Sequence, residues 1–382
     1  MRRQREEMIE LLLDLARAES PSHEREAQRE PQRILVEALQ ELGFRVRRIR
    51  GHASGGHVLA VRVTRKRKRA VQLLLGHCDT VWPRGTLEQM PAQVVDGAVR
   101  GPGTYDMKAG LVQMLFALRA LRELELEPTV EPIVFVNSDE EIGSPESTRH
   151  VRRLARLCDR VFVLEPSLEP GGRLKTARKG VGRFVIRVTG RAAHAGLDPD
   201  GGASAILELA HLVVALDRLN DPPAGVTVNV GTIEGGLRPN VIAPASRAEV
   251  DVRVLTSADA ARIERALRDL PTTVPGTSLA IEGGFNRPPL ERTPGNRVLW
   301  SKAEAAAAEL GLEIGEGTAG GGSDGNTTSQ FAPTLDGLGA VGDGAHATHE
   351  HVIADRMPER AALLGRLLLE PPRADVSGRR RT

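Results

Sequence analysis

The sequence predicts a mixed, mostly parallel α/β sheet with helices on both faces, interrupted by a smaller inserted α+β domain of ferredoxin-like order. Three observations lead there. The chain has 382 residues, more than a single hydrophobic core usually organises, so two domains are expected. Up to Leu164, short apolar runs alternate with helical stretches, the pattern of a sheet covered on both faces. From about Thr176 the order changes to β-α-β-β-α-β, in which four strands carry two helices on one face.

Taken in order, MRRQREEMIELLLDLARA reads as an amphipathic helix, because Glu10 and Asp14 interrupt its apolar stretch and no small-residue cleavage site follows. Ser20-Pro21-Ser22 predicts the start of a second helix that runs to Leu42 and stops at Gly43. Strands are expected at Phe44–Arg48, His57–Val63, Val71–Gly76, Pro132–Asn137 and Val161–Leu164, with helices near Met107–Leu124 and Pro145–Leu157. The basic run Arg65–Arg69 lies between two of these strands and reads as a solvated hairpin tip.

In the insertion, RFVIRVTG, VTVNVGTI, AEVDVRVL and SLAIEGG are the strands, and Ala203–Leu219 and Ser257–Leu270 the helices. After Pro288-Pro289 the chain returns to helix and short strand at Pro294–Leu310, Leu338–Val341 and Asp355–Leu369, with GRRRT as a frayed end. The first domain is therefore discontinuous, residues 1–175 and 291–382, with residues 176–290 inserted as a lid or dimerisation domain.

Composition narrows the function. Lys+Arg total 52 against 50 Asp+Glu, which leaves no global field to attract nucleic acid or an anionic membrane. Seven Phe, two Trp and one Tyr are too few for base-stacking platforms. No apolar run reaches the roughly 18 residues of a membrane span. Cys78 and Cys158 form no disulfide framework or CxxC spacing, which suits a reducing cytoplasm.

Acidic and imidazole side chains gather at the ends of the predicted strands. His77-Cys78-Asp79 follows one, Ser138-Asp139-Glu140-Glu141 a second and Glu165 a third; GPGTYD supplies Asp106 before a helix, and GDGAHATHEHV supplies His346. In open α/β sheets ligands bind outside the carboxyl ends of the strands, so these groups can converge. Two His and three carboxylates form an N/O donor set suited to zinc, cobalt or manganese. Two ions would need a bridging carboxylate, and Asp106 is the only acid on its glycine-rich turn.

The segments HCDTV (His77–Val81), GPG…DMK (Gly101–Lys108) and DEEIG (Asp139–Gly143) together resemble the signature of the di-zinc metallopeptidases that include glutamate carboxypeptidase, aminoacylase, acetylornithine deacetylase and succinyl-diaminopimelate desuccinylase. GHCDTVWPRGTL looks closest to the glutamate carboxypeptidase branch. The resemblance implies that His77 and Glu165 bind one metal, Glu141 and His346 the other, and Asp106 both. It makes Asp79 the residue that orients His77, and Glu140 the general base. His346 four residues before Glu350 fits the family spacing, His349 is a polar neighbour and His351 a surface residue.

GRAAHAG resembles the segment whose His, here His194, stabilises an oxyanion, often in the partner subunit of a homodimer. Asn240 in GGLRPNVI and Arg253 in DVRV match positions that bind a substrate carboxylate. The glycine-rich element Thr318–Asn326 lacks the Lys of a phosphate loop, and Gly322 and Ser323 are expected to hold substrate. The implied function is metal-dependent amide hydrolysis that releases an amino acid with a free α-carboxylate from a small peptidyl or N-acyl substrate. N-acyl-amino-acid deacylation is the alternative, and a non-catalytic metal-dependent binding protein a further one.

Overall fold

The computed structural model describes residues 1–62, 70–168 and 171–373; the Arg65–Arg69 run, Val63 and GRRRT lie outside them. The chain divides into two compact units. One comprises Met1–Thr176, Arg292–Ala319 and Ser323–Thr382, the other Ala177–Glu291 with Gly320–Gly322.

The larger unit is built on a six-stranded sheet. Val71–His77 sits inside it, flanked in parallel by Glu131–Asn137 and Arg160–Val163. Thr334–Leu335 extends the Arg160–Val163 side in parallel, while His57–Arg62 and Phe44–Ile49 continue the other side antiparallel. The sheet is mixed and mostly parallel, and period-two alternation divides its side chains between two cores. Leu74, Val134, Val136 and Phe162 pack with the helices Arg5–Arg17, Arg29–Glu41, Ala109–Glu123, Pro294–Glu309 and Met357–Leu368. Leu73, Leu75, Phe135, Val161 and Val163 pack under the helix Thr148–Leu157 on the opposite face.

Two sequence expectations are corrected. The second helix begins at Arg29, because Ser20, Pro21 and Ser22 are spent on another segment: Pro21 bridges Thr80, Thr80 N–H donates to the Ser20 carbonyl, and the Ser20 hydroxyl donates to the Cys78 carbonyl. The apolar segment Leu338–Val341 is a buried connector instead of a strand; Leu338 and Gly339 donate to the carbonyls of Val163 and Glu165 across the sheet end. A small four-stranded antiparallel sheet of Gln93–Val95, Ala98–Arg100, His351–Ile353 and Gly342–Asp343 also belongs to the unit. Strands this short carry too little alternation to read from sequence.

The second unit has the antiparallel order Thr227–Gly235, Ala245–Val254, Gly180–Thr189, Ser278–Arg287, which is ferredoxin-like. Its helices Ala205–Asp217 and Ser257–Arg268 start at side-chain caps from Ser204 and Thr256. Phe184, Ile186, Leu209, Leu212, Val250 and Ile263 form its core.

Candidate metal centre

Because the three adjacent strands are parallel, their carboxyl ends meet at one edge. His77 lies opposite Asn137, so Glu140 and Glu141 follow a strand that runs beside it. The Leu75–Val163 pair, continued by two residues, brings Glu165 next to His77 on the other side. Asp106 comes from a distorted turn, Thr104–Lys108, in which Asp106 and Met107 leave helical geometry before Ala109 begins the long helix. That helix approaches closely because Gly110 has no side chain; a Cβ there would meet the Leu164 carbonyl oxygen at 2.0 Å.

His77 Nε2 lies 3.4 Å from Asp106 Oδ1 and 3.4 Å from Glu165 Oε1. His346 Nε2 lies 3.5 Å from Asp106 Oδ2 and 3.1 Å from Glu141 Oε2. The two oxygens of Asp106 thus face different imidazoles. Potential ligand atoms of His77, Glu140 and Glu165 lie within 4.8 Å of one another, as do those of His77, Asp106 and Glu141. His346 sits at the tip of the hairpin joining Gly342–Asp343 to His351–Ile353, with φ of 60°, a conformation uncommon for non-glycine residues. His349 is exposed and His351 half-buried.

The electrostatics call for positive charge. Burial pushes the Glu141 carboxyl up to about 7, and repulsion from Asp106 adds to it. Burial also opposes ionisation of Asp106, but the His346 and His77 imidazoles outweigh it and hold the group well below the carboxylate range. Hydrogen bonds to Asp106 and Glu141 raise His346 to about 10. Burial opposes the charged form of His77, yet Asp106, Asp79 and Glu165 raise it well above its ordinary value. Asp106 Oδ1 and Glu141 Oε1 are buried without a hydrogen-bond partner. Orphaned carboxylate oxygens within a set of imidazole nitrogens and acids fit divalent cations, which supply the charge that protonated imidazoles otherwise provide.

Asp79 is fully buried. Its carboxylate lies 3.3 Å from His77 Nδ1, and it accepts the Glu140 N–H at 3.3 Å, the Glu141 N–H at 3.2 Å and the Ser22 hydroxyl at 2.7 Å. Burial raises its pKa, but His77, Ser22 and the Glu141 N–H reverse that and keep it ionised. Ser22 was not legible as a supporting residue, because its place beside Pro21 reads as a helix-start signal.

In the inserted unit, His194 is exposed, and its Nδ1 accepts the N–H groups of Gly196 and Leu197 at 3.1 Å each. With Nδ1 facing two N–H donors, Nε2 is the ring nitrogen left to donate. Asn240 is its neighbour: the Ala195 N–H reaches the Asn240 carbonyl at 3.0 Å. Arg253 lies elsewhere. Thr189 pairs with Ala245, where the His194 segment leaves the sheet, whereas Arg253 pairs with Val181 at the opposite end. Ala245 opens a strand of ten residues and Arg253 is its last but one, which places the two roughly 26 Å apart. One copy of the unit thus does not form an Asn240–Arg253 clamp. The Arg253 fork is meanwhile held by Asp251 at 2.7 and 3.0 Å.

Gly322 leaves room for the Arg287 side chain, whose Cδ would lie 2.9 Å from a Cβ. Ser323, expected to hold substrate, is buried; its hydroxyl donates to Asp336 at 2.7 Å and caps the turn Asp324–Thr328, so its polar atom serves the fold.

Adjacent parallel strands whose carboxyl ends gather imidazoles and carboxylates about one shared aspartate fit a metal-dependent hydrolase. Residues 73–370 match the model of Peptidase family M20/M25/M40, and the chain belongs to that family of metallopeptidases. Carboxypeptidase G2 of Pseudomonas sp. (strain RS-16) is 29% identical over 345 residues, spanning 88% of this chain and 82% of the relative. The aminopeptidase PepT of Bacillus cereus aligns with a TM-score of 0.76 at 21% identity, covering 97% of this chain and 98% of that one. The Bacillus subtilis YXEP protein, a dinuclear metal-binding peptidase of the M20 family, aligns with a TM-score of 0.71 at 15% identity, covering 97% and 98%.

Proposed function

We propose that this hydrolase cleaves an amide bond to release an amino acid with a free α-carboxylate, in the manner of a carboxypeptidase acting on a small peptidyl or N-acyl substrate, with glutamate as the favoured product. The observation that carries the chemistry is the Asp106 carboxylate shared between the His77 and His346 sides. The likeness to carboxypeptidase G2 supports the choice of substrate class.

His77 and Glu165 would hold one divalent ion, Glu141 and His346 a second, and Asp106 both. Zinc suits these donors best, and cobalt or manganese also fits. The bound ions supply Lewis acidity toward the scissile carbonyl and lower the pKa of water. Glu140, beside the His77–Glu165 pair, accepts the proton of the attacking water on its carboxylate and delivers it to the departing amine. His194 contributes its Nε2–H to the developing oxyanion, a role that suits a ring whose Nδ1 is already engaged by the Gly196 and Leu197 N–H groups. Asn240 and Arg253 recognise the carboxylate, Arg253 by exchanging Asp251 for substrate.

A homodimer through the inserted unit follows from the same roles. His194 with Asn240 and Arg253 occupy opposite ends of one sheet, so they serve one small substrate only if they come from two copies. Thr227–Gly235 is one of the two edge strands of that sheet, and Ile233, Leu237, Ile206, Leu207 and Val214 are exposed on or beside it. An open edge with uncovered apolar side chains favours a second copy as its partner. The buried free thiols Cys78 and Cys158 suit a cytoplasmic setting.

The test is release of free amino acid from a panel of peptidyl and N-acyl amino acids by zinc-loaded protein, with chelator-treated protein as control. Zinc-dependent release of glutamate from peptidyl or folate-type substrates supports the proposal. Release only from simple N-acyl amino acids moves the assignment to a deacylase, and no release with two ions bound contradicts the reading.

A further inference from the structure

We propose that Glu350 is a positioning residue that fixes Asp106 relative to His346 and thereby sets the affinity for the second metal ion. This rests on the two-metal reading above. Glu350 is 1% exposed. Its Oε1 accepts the N–H groups of Tyr105 at 2.9 Å and Asp106 at 3.1 Å. Its Oε2 accepts the Gly103 N–H at 3.0 Å and the Trp82 indole N–H at 2.8 Å. A carboxylate offers about four lone-pair sites, and here four donors use them.

The donors come from two segments that Glu350 does not belong to. Gly103, Tyr105 and Asp106 form the turn that presents the shared aspartate, and left-handed Gly103, with φ of 71°, allows its N–H groups to converge. Trp82 belongs to the loop that leaves His77 and Asp79. Glu350 itself closes the hairpin that carries His346, and its own N–H donates to the Ala347 carbonyl. One side chain thus ties together the three loops that bear His77, Asp106 and His346. Backbone N–H groups arranged in this way commonly cradle an external anion; in this chain the anion is the internal Glu350 carboxylate, which takes the Asp106 N–H and leaves the Asp106 carboxylate oxygens to the His77 and His346 sides.

An amide would not replace it. Glu350→Gln keeps the size but leaves an NH₂ group facing N–H donors, so part of the cradle loses its acceptor. Outer partners of metal ligands typically change affinity by about 10–100-fold. Protein stripped with chelator and titrated with Co²⁺ alone, followed by visible absorption, reads this directly. Wild type should take two equivalents, and Glu350→Gln should bind the second about 10–100-fold more weakly with an altered d–d spectrum. Trp82→Phe, which removes a single donor and no acceptor, should weaken the second equivalent by a smaller factor and serves if Glu350→Gln does not fold.

A folded Glu350→Gln protein with wild-type affinity and spectrum for both equivalents overturns the inference, as does an unchanged Trp82→Phe protein if that is the only soluble variant. Failure of wild type to take two equivalents would count instead against the two-metal reading.

Discussion

The Asp79 carboxylate accepts the backbone N–H of Glu140 at 3.3 Å. The residue proposed to orient His77 therefore also holds the turn carrying Glu140, the proposed general base, and Glu141, a proposed ligand. First-strand and second-strand contributions to the centre are locked together through one buried acid, and Ser22 completes that acid's hydrogen bonds.

Asp79→Asn should lower metal affinity by about 10–100-fold and destabilise the fold by about 1–3 kcal/mol through unmet buried donors. Metal titration together with urea unfolding measures both effects. Unchanged metal affinity would show that His77 does not need the Asp79 carboxylate, the Asp79 backbone carbonyl at 3.1 Å from Nδ1 being enough to orient it.

Mixing His194→Ala and Arg253→Ala chains should restore activity that neither variant has alone, because a mixed dimer contains one site with both residues intact. If the two variants are inactive separately and remain inactive after dissociation and reassociation, the shared-site reading is wrong.

Glu146 provides a pH-dependent element away from the metals. Burial pushes its carboxyl up, but the Ser54 hydroxyl and the N–H groups of Ala53, His52 and Ser54 outweigh it and bring the pKa down to about 2 from an ordinary 4.5. A depressed carboxyl adds stability above its unfolded pKa and loses it as pH falls through the folded value. Glu146→Gln should therefore be less stable than wild type at neutral pH, with the gap closing between pH 4.5 and 2. A gap independent of pH in that window would place the effect in packing and not in charge.

Much of the centre was legible because chemistry follows immediately on apolar strands. His77, Glu140, Glu141 and Glu165 stand within a few residues of strand ends, and parallel pairing gathers such positions. Asp106 and His346 follow no regular strand of the main sheet and were legible from their glycine-rich turns instead; only the division of ligands between two ions needed the motif resemblance. Ser22 was hidden because a Ser-Pro-Ser segment has the same local signature whether it caps a helix or pairs with a distant loop. Glu350 was visible only as a spacing from His346, and its work depends on backbone N–H groups that leave no trace in residue identity. The separation of Arg253 from Asn240 depends on strand register, which the resemblance alone does not supply.

The most direct test of the account compares metal content and turnover in Glu140→Gln. The account predicts two ions per chain, as in wild type, with kcat lowered by about 10²–10⁴-fold. Wild-type turnover with both ions bound would contradict Glu140 as the base, and loss of an ion would make it a ligand instead.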